Sequence, residues 1–169
     1  TVTGVQTCAL PIFKIGFDAT AHTSRVQALI AAAVRGTSRT STGVVAVAYA
    51  DNPGPARSEL IQLAAAGGAR GVLIDTSNKR GPGLCQLMTP GAIERWVATV
   101  HKARLFAAVA GKLVADDLPR VQDAGADIAG VRGAVCDAGR AGRVVAEKVR
   151  GLRGARVGGC EVRGCEGVG

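Results

Sequence analysis

Short apolar runs that end in charged residues, helical stretches between them, and one strand-then-charge pattern that occurs twice together predict an α/β fold. The expected architecture is part of a TIM (β/α)8 barrel, about five C-terminal strand–helix units on a parallel sheet. Strand runs fall at 13–17, 44–49, 71–75, 105–110 and 127–131. Each is short, apolar and bounded by turn residues, as expected for strands covered on both faces.

Helical patterns fill the intervals. Residues 25–35 place Val26, Leu29, Ile30 and Ala33 on one stripe, and residues 57–66 stop at Gly67 and Gly68. Thr89 offers an N-cap in front of Pro90 at the first helical position. Behind it Ile93, Trp96, Val97 and Val100 recur at helical spacing, so Trp96 reads as core. Residues 115–124 stop at Gly125, and 142–150 form a last short helix. The repeat is GARGVLID (68–75) against GADIAGVR (125–132). Both read as helix stop, strand, then charge, which sets Asp75 and Arg132 at equivalent heights facing one mouth. By the same logic Lys14, Asp51 and Lys112 lie near the ends of their own strands.

Composition narrows the class. Apolar residues make up 47% of the 169, which fits a packed domain rather than a disordered chain. Aromatics are 3%, so Ala, Val, Leu and Ile must fill the core. No apolar run reaches the length of a membrane span. The N-terminus lacks the basic start and cleavage site of a secretory signal. The five cysteines, Cys8, Cys85, Cys136, Cys160 and Cys165, form no Cys-x-x-Cys, and neither His22 nor His101 joins them. Neither a metal site nor a disulfide framework is expected, and a cytoplasmic location with reduced thiols is. The net charge of +8 suits anionic partners such as phosphates. A basic nucleic-acid-binding module is the competing reading. Its cations should be striped and interleaved with stacking aromatics, and here they are spread along the chain.

Both ends depart from the pattern. Residues 2–12, VTGVQTCALPI, read codon for codon like a translated sequencing-library adapter. Segment 1–12 is therefore expected to be artefactual, with the natural gene beginning upstream of Phe13. The barrel domain is then 13–150. Beyond it, 151–169 is glycine-dense and without periodicity, the signature of a disordered or out-of-frame tail.

The chemistry gathers at the strand ends. Asp75 closes the run 71–75 and Lys79 follows four residues later. Active sites of β/α barrels are built there, and a carboxylate beside an amine serves proton transfer on a carbonyl compound. The plainer reading makes Asp75 a turn cap and Lys79 a solvated charge. Gly130-Val-Arg132-Gly133-Ala134 follows the last strand and Ala110-Gly111-Lys112 the one before. Glycines admit backbone N–H groups to an anion and arginine adds its fork, so Gly111, Lys112, Arg132, Gly133 and Ala134 are the candidate phosphate cradle. The plainer reading is a pair of ordinary turns. Lys14 is a second amine, expected to be partly buried in its strand. Asp51 completes the ring of charge. Cys136 has no histidine near it and reads as a small buried hydrophobe.

Three segments, VVAVAYAD (44–51), LIDTSNK (73–79) and ADIAGVRGAVC (126–136), taken in order, resemble the (5-formylfuran-3-yl)methyl phosphate synthase family. The resemblance runs over 13–150. It implies a TIM-barrel lyase that joins two glyceraldehyde 3-phosphate molecules with loss of one phosphate and two waters, in methanofuran biosynthesis. It implies a lysine imine (Schiff base) with Asp and Lys proton shuttles, and neither cofactor nor metal. Asp75 and Lys79 match the family's acid–base pair after its sixth strand, and Lys14 matches the lysine of its fourth. The family's Asp-x-Lys-x-Pro motif, source of the imine lysine, has no counterpart here. The chain is therefore expected to be an inactive C-terminal fragment, its partner a small triose phosphate rather than nucleic acid or membrane. Homo-oligomerisation would cover the open sheet edges. The alternatives are another phosphate-binding barrel aldolase or isomerase, the nucleic-acid module, and a misassembled product without function.

Overall fold

The computed structural model describes residues 11–17, 22–52 and 56–154. Strands and helices alternate through them: β1 (Ile12–Gly16), α1 (Thr23–Thr37), β2 (Gly43–Tyr49), α2 (Arg57–Ala66), β3 (Gly71–Asp75), α3 (Leu84–Leu87), α4 (Pro90–Lys102), β4 (Phe106–Val109), α5 (Leu118–Asp123), β5 (Ile128–Ala129) and α6 (Ala146–Gly154). The strands pair in chain order and every pairing is parallel. This is a run of β/α units from a TIM barrel, with a parallel sheet as expected.

Period-two alternation sorts the strand residues onto two faces. Ala46, Ala48, Val72, Ile74, Ala107 and Val109 face the helices in the main core. Val45, Val47, Leu73 and Ala108 form a second cluster on the other face, with Tyr49, Phe106 and Ala110 beside it. In a barrel that second face is the interior. Asp75 lies level with Tyr49 of β2 and therefore projects inward.

Helix α4 forms for reasons already visible in the sequence. Thr89 caps α4 by accepting the N–H of Ala92 at 3.3 Å, and Pro90 opens the helix. Ile93, Trp96, Val97 and Val100 are its buried stripe, so Trp96 is core. The repeat appears in the backbone too: Gly68 and Gly125 take nearly identical left-handed φ values of 79° and 81°. That conformation, awkward for any residue with a Cβ, reverses the chain from helix into strand in both units.

Several boundaries and environments differ from expectation. Strand β1 starts at Ile12, inside the segment set aside, while residues 1–10 lie outside the described ones. Leu29 of α1 is 42% exposed, although Val26 and Ile30 are fully buried. Among the described residues no β/α unit precedes β1, so the flank of α1 has nothing to pack on. The 115–124 stretch divides into a 3-10 turn, Ala115–Asp117, and the short helix α5. Residues 142–145 are not helical. They run back beside the loop after β5, where Val145 N donates to Val135 O at 2.8 Å and Asp137 N to Arg143 O at 3.0 Å. Helix α6 follows and continues to Gly154, past the boundary at 150; residues 155–169, with Cys160 and Cys165, lie outside the described residues.

Candidate functional site

The carboxyl ends of β3, β4 and β5 open onto a cleft of about 680 Å³. Its lining includes Lys14, Asp75, Lys79, Gly111, Lys112, Arg132, Gly133 and Ala134. Every candidate catalytic and phosphate-cradle residue thus meets in one place. Ala110, Gly130 and Val131 line it as well, and so do Thr76, Leu113, Val114 and Gly139, which were not singled out from the sequence. No local pattern marks them, because they join the cleft only through the loops they sit on. Four cationic side chains against one carboxylate give the cleft a strong bias toward anions.

Asp75 and Lys79 form the acid–amine pair. The Lys79 Nζ stands 3.8 Å from Asp75 Oδ1, with side chains 42% and 26% exposed. Asp75 Oδ1 also accepts the N–H of Thr76 at 2.7 Å. The Lys79 ammonium donates to the carbonyl of Thr76, and that of Lys112 to the carbonyl of Gly81. Both amines are thus held against the loop that follows β3.

The β4 loop is shaped for close approach. Gly111 has φ 112°, and an added Cβ would lie 3.0 Å from Thr76 Cγ2 and 3.1 Å from Leu84 Cβ. Lys112 itself takes φ 56°, unusual for a residue with a side chain. Gly133 and Ala134 lie in a single 3-10 turn, Gly133–Val135, directly after Arg132.

Two placements differ from the sequence reading. Lys14 is in mid-strand rather than near its end, level with Val45 and so with Gly71, four positions before Asp75. It is exposed, not partly buried, because no strand flanks β1 on its outer side among the described residues. It still lines the cleft. The Asp75 and Arg132 heights also shift. The strand register brings Asp75 level with residue 130, so Arg132 reaches the rim from the loop beyond β5.

Asp51 stands just outside the cleft lining, at the end of β2. Its Oδ1 accepts the N–H of Ser77 at 2.7 Å and the Ser77 hydroxyl at 3.0 Å, and its Oδ2 accepts the N–H of Asn78 at 2.7 Å. Desolvation pushes this carboxyl upward, but the hydrogen bonds from Ser77 and Asn78 together outweigh it and hold it below 3.8.

Beside the rim, burial pushes the Cys85 thiol up to about 11, with the neighbouring Asp117 adding to the effect. Cys136 is buried, as expected of a small hydrophobe. Among the described residues no three His, Cys, Asp or Glu side chains gather as metal ligands would, and no helix is long and apolar enough to cross a membrane.

A parallel β/α sheet with its charged cleft at the carboxyl strand ends defines the TIM-barrel class. The profile of the 4-HFC-P synthase family matches residues 1–153, and the chain belongs to that family. The (5-formylfuran-3-yl)methyl phosphate synthase of Methanosarcina barkeri is 36% identical over 93 residues, 55% of this chain and 40% of that protein. The synthase of the same name from Methanopyrus kandleri is 36% identical over 101 residues, 58% and 43%. A Streptomyces griseus protein matches at 37% over 124 residues, 68% and 48%. The chain thus spans less than half the length of these curated relatives. Among solved structures, 3-hexulose-6-phosphate synthase superposes with a TM-score of 0.51 at 26% identity, covering 83% of this chain and 61% of that one. A KDPGal structure superposes at 0.50 and 19%, a likeness of fold alone.

Proposed function

We propose that the cleft is part of the active site of a lyase that condenses two glyceraldehyde 3-phosphate molecules into (5-formylfuran-3-yl)methyl phosphate, releasing one phosphate and two waters. The observation that carries this reading is the Asp75–Lys79 pair, 3.8 Å apart, in a cleft also lined by Lys14, Lys112 and Arg132.

The division of labour follows from charge and reach. Arg132 and Lys112, with the backbone of Gly111, Gly133 and Ala134, hold the substrate phosphate. The Asp75 carboxylate takes a proton from the carbon next to the carbonyl, and the Lys79 ammonium returns one to a departing hydroxyl. Lys14, reaching into the cleft from β1, supplies a second amine for proton transfer. The imine lysine of this chemistry belongs to an Asp-x-Lys-x-Pro motif that the sequence does not contain. This chain alone is therefore inactive. The reading requires no cofactor or metal, takes a triose phosphate rather than nucleic acid as partner, and places the protein in the cytoplasm.

The test is made in a full-length relative such as the Methanosarcina barkeri synthase. Replacing the residues that match Asp75 by Asn and Lys79 by Ala should each lower furan aldehyde formation by at least about 100-fold, and the present chain should form none. Full activity in either variant would contradict the reading.

A second reading has one observation in its favour, the superposition on 3-hexulose-6-phosphate synthase. In it the same cleft serves an aldol reaction on a sugar phosphate. Product analysis separates the two, since only the lyase releases inorganic phosphate.

A further inference from the structure

We infer that Asp51 is a positioning residue whose carboxylate fixes the loop after β3 and so sets where the Lys79 amine stands relative to Asp75. The inference rests on the proposed role of Lys79. Three contacts carry it. Both carboxylate oxygens cross from the end of β2 to the N–H groups of Ser77 and Asn78, and Oδ1 also takes the Ser77 hydroxyl. These are charge-assisted bonds to consecutive backbone groups, stronger than neutral ones, and they hold the loop at two adjacent points.

Further along, the loop is tied by Gly81 N to Asn78 O at 3.3 Å and by the Lys112 ammonium on the carbonyl of Gly81. Lys79 directly follows Asn78, and its amine folds back onto the carbonyl of Thr76 and toward Asp75. Asn78 extends the arrangement forward, its Oδ1 accepting the N–H of Arg80 at 2.9 Å. On the strand side, Ala50 N donates to Asp75 O at 2.8 Å, so Asp51 begins where the regular β2–β3 ladder ends. The carboxylate thus continues the cross-strand bonding by one step, through a side chain instead of the backbone. Removing it frees Ser77 and Asn78, and the amine loses its fixed approach to Asp75. Asp51 does not line the cleft, so it acts on the substrate only through Lys79.

The test uses the full 169-residue chain, reductively methylated with 13C-formaldehyde so that each lysine carries its own NMR signal. Lys79→Arg assigns the Lys79 signal. In the unsubstituted chain that signal should stand apart from exposed Lys102. In Asp51→Ala it should move to the Lys102 position while the Lys14 signal stays in place. Asp51→Asn, which keeps an oxygen for Ser77, should hold Lys79 at an intermediate position. General loosening of the fold would move Lys14 as well. An unmoved Lys79 signal in folded Asp51→Ala overturns the inference. Should Asp51→Ala fail to fold, an unmoved signal in Asp51→Asn overturns it instead. Inorganic phosphate added to the unsubstituted chain separates this result from the proposed function. No response at Lys14 or Lys112 counts against the phosphate cleft and leaves the Asp51 result standing.

Discussion

The Lys79 ammonium lies 3.8 Å from the Asp75 carboxylate at the mouth of the sheet, with Lys112 and Arg132 on the facing loops. One acid among four cations makes affinity for anions the property most easily measured. Arg132→Ala removes a bidentate donor, a loss of about 1.5–3 kcal/mol for charged hydrogen bonds. Phosphate binding should weaken roughly tenfold or more. Asp75→Asn removes the one opposing charge and should tighten it about two- to tenfold, less at high salt. Calorimetric titration of both variants checks the pair of signs.

Gly111 should resist substitution. At φ 112° a Cβ is strained, and the space it would enter already holds Thr76 Cγ2 and Leu84 Cβ. Gly111→Ala should destabilise the chain by about 1–3 kcal/mol, read from urea unfolding. Gly139→Ala provides the contrast. It too has positive φ, 62°, but nothing lies within 4 Å, so its cost should be the smaller.

Acid should loosen the Asp51 contact. Its carboxyl is held below 3.8 in the folded chain, so the unfolded state binds the proton more readily. The resulting stability is fully present above the ordinary carboxyl value of 3.8 and is lost as pH falls through the lower folded value. Asp51→Asn should abolish this one contribution. The stability difference between the unsubstituted chain and the variant should therefore shrink as pH drops from 5 to below 3.8, measured by urea midpoints. A constant gap would contradict the assignment.

Cys85 should be a poor nucleophile. With the thiol raised to about 11, its thiolate fraction at pH 8 is on the order of 100-fold below that of an ordinary cysteine. Alkylation by iodoacetamide, followed by mass spectrometry of the Cys85 peptide, should be correspondingly slow. Asp117→Asn should speed it by removing a repelling charge.

How far the sequence reaches can be judged residue by residue. Val72, Leu73 and Ile74 announced a strand because a parallel strand covered on both faces needs apolar side chains throughout. Gly68 and Gly125 announced helix ends because their backbone conformation excludes most other residues. Properties set by distant neighbours were not legible. Asp51 meets Ser77 across 26 positions, and no local pattern links them. Lys14 is exposed because no strand flanks β1 on its outer side among the described residues, not because of its own segment. Helix α3, only four residues long, carries no periodicity to detect. The register that sets Asp75 level with residue 130 depends on β4, which lies between the two repeats.

The most direct measurement is an amide NMR titration of the chain with glyceraldehyde 3-phosphate. Perturbations confined to Gly111, Lys112, Gly133 and Ala134, together with Asp75 and the loop carrying Lys79, are the predicted result. Perturbations concentrated on the helices at the opposite end of the sheet, or none at millimolar ligand, would contradict the account.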